Sequence, residues 1–173
     1  MRSRLPYGML SLSMLVGLIA TGCSQSTAGT PSAPAAAPVG VTGGGEFTGG
    51  DPAAIAYDRK LVPQGAQASL TAESVGDRTV TSLVVEGFLH NRAYGAHLHT
   101  EPCGADPQAA GPHFKRGTDE VWLDFRTLGN GTGHATTRHD WQLDPAHLPQ
   151  SLVIHAAPGA SAPRIACLTL HRR

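Results

Sequence analysis

AQASLTAES, residues 66–74, alternates without a break: Ala66, Ala68, Leu70 and Ala72 fall on one side, Gln67, Ser69, Thr71 and Glu73 on the other. Successive side chains of a strand point to opposite faces, so the pattern specifies a strand with one face in a core and one in water. RTVTSLVVEGFL, residues 78–89, is rich in Val and Thr and reads as the next strand, reached through a turn at Val75-Gly76-Asp77. Working outward, further β-like runs are AIAYDR (54–59), AHLHT (96–100), EVWLDFR (120–126), HATTRHDW (134–141), SLVIHA (151–156) and RIACLTL (164–170). Turn-forming clusters such as LGNGTG (128–133) separate several of them. About eight short strands, with no run patterned for a long amphipathic helix, specify an all-β domain over 51–173, an antiparallel sandwich or Greek-key barrel.

The composition agrees. With 21 Gly, 13 Pro and 5% aromatics, the 173-residue chain suits short strands and many turns. Thirteen Lys and Arg against 13 Asp and Glu give a net charge of +0, without the basic excess that nucleic-acid binding requires. Any attraction of a charged substrate must therefore come from charges close to a site.

The amino terminus has a different character. Arg2 and Arg4 precede an apolar run, MLSLSMLVGLIA (9–20), short for a membrane span and typical of a secretory signal. Cys23 follows small residues in ATGC, and the segment resembles the lipobox of bacterial lipoproteins, with Ala20 where Leu is usual. The resemblance implies a signal peptide at 1–22, lipidation of Cys23 and attachment to the outer face of the cell membrane. A plain secretory signal is the alternative. Residues 24–50, dominated by Ser, Thr, Ala, Pro and Gly, read with Cys23 as a flexible tether.

Chemistry concentrates in the histidines. In GAHLHTEPCG (95–104), His97 and His99 stand at i and i+2 and so share one face of a strand, a natural chelating pair. Alone, such a pair is a weak signal. His113 lies in the turn-rich AAGPHF (109–114), and His155 ends the apolar run of LVIHA (152–156), an odd place for a histidine that faces only solvent. Arg164 precedes Cys167 by three residues in APRIAC (162–167).

These four motifs, in this order, resemble those of the copper/zinc superoxide dismutase family, over roughly residues 66–173. The resemblance implies a Greek-key β-fold, copper held by His97, His99, His113 and His155, and superoxide converted to oxygen and hydrogen peroxide. It gives His113 a second role as the histidine that leaves the metal to carry a proton. Arg164 takes the position of the arginine that draws the anion to copper. Cys103 and Cys167 take the positions of an intrasubunit disulfide, with two free thiols as copper ligands the alternative.

Two departures from the family matter. Residues 114–133 contain no histidine, so the family's zinc ligands are missing and zinc is not expected. The loop from His155 to Arg164, AAPGASAP (156–163), is eight residues long, against a much longer charged loop in the full enzyme. Together they resemble the family's copper-only branch, in which an acidic residue supports the bridging-type histidine. Glu120 is the expected support for His113, and Asp124 the second choice. His90, His134, His139, His147 and His171 have no role in this scheme. The expected function is a membrane-anchored copper dismutase acting on superoxide; the alternative is a non-catalytic copper-binding module that buffers or delivers the metal.

Overall fold

The alternating segment and its neighbour form an antiparallel hairpin in which Val75 stands opposite Arg78. Gly76, at φ 62°, supplies the backbone that this two-residue turn needs. Burial follows the expected period: Ala68, Leu70 and Ala72 are buried on one strand, Thr79, Thr81, Leu83 and Val85 on the other. The computed structural model describes residues 38–159 and 161–173. The expected signal peptide, the expected lipidation site Cys23 and the first part of the expected tether lie outside those residues.

In chain order the strands are β1 (Val39–Glu46), β2 (Ala54–Ala56), β3 (Gln67–Val75), β4 (Arg78–Glu86) and β5 (Ala93–His99). A 3-10 turn, Pro107–Ala110, comes next. Then follow β6 (Lys115–Arg116), β7 (Asp119–Glu120), β8 (Phe125–Arg126), β9 (Gly133–His139), β10 (Ser151–His155), β11 (Arg164–Thr169) and β12 (His171–Arg172). They build two five-stranded antiparallel sheets, β12-β1-β3-β4-β9 and β2-β11-β10-β5-β8, with β6 and β7 as a small hairpin. The result is the sandwich form of the expected all-β fold, with no closed barrel among the described residues.

The main core contains Leu70, Leu83 and Val85 of the first sheet and Ala96, Leu98, Leu152, Ile154 and Leu168 of the second. Phe47, Phe88, Tyr94 and Phe125 close one part of it with ring centroids 5.2–6.0 Å apart. Such edge-to-face and offset contacts add to simple area burial.

One boundary needs correction. Residues 39–46, which composition places in the tether, are β1, paired along its length with β3. The domain therefore starts well before residue 51. VGVTGGGE shows no alternation because four of its eight residues have no side chain. At Gly43 a Cβ would stand 2.7 Å from both Leu170 Cδ2 and Thr169 O, so close approach of backbone to core is what glycine permits here.

EVWLDFR, expected as one strand, is interrupted. β7 and β8 flank a single bridge between Trp122 and His97, and Leu123 N donates to Ala96 O at 2.8 Å. Its alternation nevertheless survives: Val121, Leu123 and Phe125 enter the core. Glu120, Trp122 and Asp124 are left on the opposite side.

Candidate metal centre

In β5 and β10, Ala96, Leu98, Leu152 and Ile154 face the main core. The intervening residues, His97, His99 and Val153, therefore face outward from the sheet. That outer surface is not open to water. The segment 100–114 lies over it, so that Ala110 packs with Val153 and Cys167 in a second apolar cluster. Cys103 and Cys167 form a disulfide, with Cα atoms 5.7 Å apart, that ties this segment to β11.

Each of the four expected histidines has its own backbone anchor. His97 and His99 stand opposite Val153 and Ser151 of β10, and His155 stands opposite Gly95. A Cβ at residue 95 would lie 2.5 Å from Ala157 O and 3.2 Å from His155 Cβ, so glycine there lets the end of β10 draw close. His113 joins through a bridge to His99, with Phe114 N donating to Leu98 O at 2.8 Å. The side chains converge: one nitrogen from each of His97, His99, His113 and His155 falls in a set whose members all lie within 4.8 Å of one another.

The hydrogen bonds show which nitrogen is bare. His99 Nδ1 lies 3.0 Å from Gly111 O, and His155 Nδ1 lies 2.7 Å from Ala162 O. A carbonyl only accepts, so both rings carry their proton on Nδ1 and leave Nε2 as a lone pair. Both Nε2 atoms are buried with no protein partner. His113 Nδ1 is engaged 2.7 Å from Glu120 Oε2, which again leaves Nε2 for the centre. His97 differs: neither ring nitrogen has a hydrogen-bond partner, and Nε2 is the one that stands near a carboxylate, 3.5 Å from Asp124 Oδ1. The carboxylate favours the proton on Nε2 and so presents Nδ1.

Buried polar atoms without partners cost about 1–3 kcal/mol each. A cation at the meeting point of these lone pairs satisfies all of them at once, and the donor set, four neutral imidazoles, suits a transition metal. Burial keeps the rings of His97, His99 and His155 neutral. Desolvation, then the neighbouring histidines, pulls the pKa of His97 down to about 4. Desolvation holds His99 down to about 3, and lowers His155 as well. Neutral imidazole is the form that binds metal. The residues present thus form a buried cluster that could hold a metal ion.

The support around the ligands is equally specific. Glu120 is the acid that meets His113, as expected; its second oxygen, Oε1, lies 2.6 Å from Lys115 Nζ. Lys115 is the cross-strand partner of Glu120 in the β6–β7 hairpin. The Lys115 and then the His113 hydrogen bond hold the Glu120 carboxyl below the usual range. Asp124, the second choice for the support of His113, lies beside His97 instead. It also accepts from Ala96 N at 3.0 Å and Gly159 N at 3.1 Å, which joins β5 to the segment between β10 and β11. The reason is register: Trp122 is bridged to His97, so Asp124 follows it past β5 while Glu120 remains beside His113.

Arg164 reaches the site through an irregularity. Ile154 pairs with Ala166 but His155 pairs with Arg164, which leaves Ile165 as the extra residue of a bulge. The guanidinium donates to Pro107 O and to Gly111 O, each at 2.9 Å. Gly111 O is also the acceptor for His99, so one carbonyl fixes both the arginine and a ligand.

Lys115 and Trp122 also belong to the surroundings of the site, although neither was among the expected residues. The indole of Trp122 lies edge-on to His97, ring centroids 4.3 Å apart. The alternation of EVWLDFR carried the missing signal, because the residue between Glu120 and Asp124 on that face is Trp122. The remaining histidines stay apart from the cluster. His147 pairs with Asp144 at 2.9 Å, His139 stacks on Trp141, and His90, His134 and His171 are exposed. Compared with protein-family models and with curated proteins, the chain has no match.

The depressed histidines predict acid sensitivity of the metal-free protein. Their folded values lie below the ordinary 6.5, so unfolding takes up protons. The stability they contribute is present above about pH 6.5 and is lost as pH falls through about 4 for His97 and about 3 for His99. Urea midpoints of the metal-free chain are expected to fall steadily over that window. A flat profile from pH 6.5 down to 4 would show that the cluster does not resist protonation.

Proposed function

We propose that this chain is an exported, lipid-anchored superoxide dismutase that uses copper without zinc, related to the copper-only branch of the copper/zinc superoxide dismutase family. The observation that carries this reading is the convergence of four imidazole lone pairs beside a fixed arginine. All-nitrogen ligation suits copper, and the family resemblance selects it among the metals that accept imidazole. When bound, copper supplies a one-electron couple that oxidises superoxide to oxygen in one encounter and reduces it to peroxide in the next.

The chain's own residues divide the rest of the work. Arg164 places a permanent positive charge near His99 and His155 and gives a small anion a local target in a protein with no net charge. His113 is the least buried of the four ligands and holds or releases a proton at Nε2. Glu120 keeps Nδ1–H of the same ring engaged, so the ring does not turn while that proton moves. The disulfide is consistent with an oxidising compartment, in line with the expected signal and the lipidated Cys23.

Replacing Arg164 tests the assignment. Arg164→Ala at full copper occupancy is expected to slow superoxide decay by about tenfold, with Arg164→Lys in between, and to weaken the salt dependence of the rate. Copper affinity, measured in parallel, separates lost guidance from a disturbed Gly111 carbonyl. Superoxide decay unchanged in both variants would leave Arg164 as a structural clamp, whereas decay in all three proteins no faster than with the copper-free chain would favour the module that only stores or delivers copper.

A further inference from the structure

Three of the four ligands are closed off from solvent: His97, His99 and His155 are 1%, 0% and 2% exposed. Approach to the cluster must therefore pass the groups that reach water beside it. Trp122 is prominent among them, at 42% exposed. It stands directly across the strand pair from His97, so both side chains rise from the same face of the sheet. Its ring meets His97 at 4.3 Å with an interplanar angle of 70°, and its centroid is 6.2 Å from that of His113. The indole thus covers the flank shared by the two rings, and its own far side faces solvent. Glu120 and Asp124 bracket it in sequence and are held by His113, Lys115, Ala96 and Gly159, so the backbone that carries the indole is fixed on both sides.

We propose that Trp122 is a size-determining residue for the metal centre. It is a rigid aromatic wall that admits anions of two or three atoms and keeps bulkier ligands, chelators among them, away from the metal. With the segment between β10 and β11 so short, this wall performs by shape what a long covering loop performs by enclosure. The inference rests on the copper-site reading above. It also assigns Trp122 no ligand role and no part in proton transfer, so anions that pass the wall bind equally well without it.

The test uses the full chain loaded with copper, as wild type, Trp122→Ala and Trp122→Phe. Azide, a three-atom anion, is titrated by visible absorption, and copper removal by excess EDTA is followed as a rate. Trp122→Ala is expected to release copper to EDTA at least about tenfold faster, Trp122→Phe to fall between, and azide affinity to stay within about twofold in all three. An EDTA rate unchanged in Trp122→Ala overturns the proposal and leaves the copper site standing. Azide affinity falling by the same factor as the protection from EDTA also overturns it, because that pattern marks a loosened site rather than an open wall. A wild-type chain that takes up no copper overturns this inference and the function reading together.

Discussion

His99→Gln is expected to weaken metal binding by more than about 100-fold, beyond the 10–100-fold that follows from disturbing groups that only orient ligands. His99 is fully buried and donates from Nδ1 to Gly111 O, and its bare Nε2 lies among the converging nitrogens. Glutamine can replace the donor to Gly111 O but brings no imidazole lone pair to the centre. A bound metal ion would stabilise the fold by mass action, about 4 kcal/mol at a thousandfold excess over its dissociation constant. Chelation should therefore lower the melting temperature of the wild type much more than that of the variant. Equal chelator sensitivity in the two proteins would remove His99 from the ligand set.

Cys103→Ser is expected to have the largest effect on stability. The disulfide spans a sequence separation of 64, and closing a loop of that length is worth on the order of 4 kcal/mol in the chain-entropy model. Its influence extends to the site. Between Cys103 and His113 the chain carries Ala110, which packs on Cys167, and the Gly111 carbonyl that receives His99 and Arg164. Once released from β11, this segment should wander, so copper affinity is expected to fall along with the urea midpoint. Reduction of the wild type should reproduce both losses. If the midpoint drops but copper affinity holds, the segment is anchored without the disulfide, by bonds such as Thr100 N to Pro112 O and Arg164 to Gly111 O.

The strands were legible where one face is wet and the other dry. The β3 alternation decides its own register against β4, because a slip by one residue would bury Gln67 and Thr71 and expose Leu70. β1 was not legible, because a strand written largely in glycine carries no pattern of faces. The four histidines could be singled out because each sits in a motif, and the structure brings those same four together. Their supporting groups were harder. Glu120, Trp122 and Asp124 visibly share a face in EVWLDFR, yet which histidine each one meets depends on the register against β5, a pairing about 25 residues away that no local pattern encodes. The bulge at Ile165, which brings Arg164 opposite His155, is likewise invisible in RIACLTL. The close neighbour of Glu120 that sequence reading passed over, Lys115, becomes apparent only once the β6–β7 hairpin sets the two across from each other.

The most direct measurement is the decay of superoxide after pulse radiolysis in the presence of the copper-loaded, zinc-free chain. Second-order decay is expected, with a rate constant on the order of 10⁸–10⁹ M⁻¹s⁻¹, near the diffusional ceiling and proportional to copper occupancy. Decay no faster than with the copper-free chain, at full occupancy of the four-histidine centre, would contradict the proposed function.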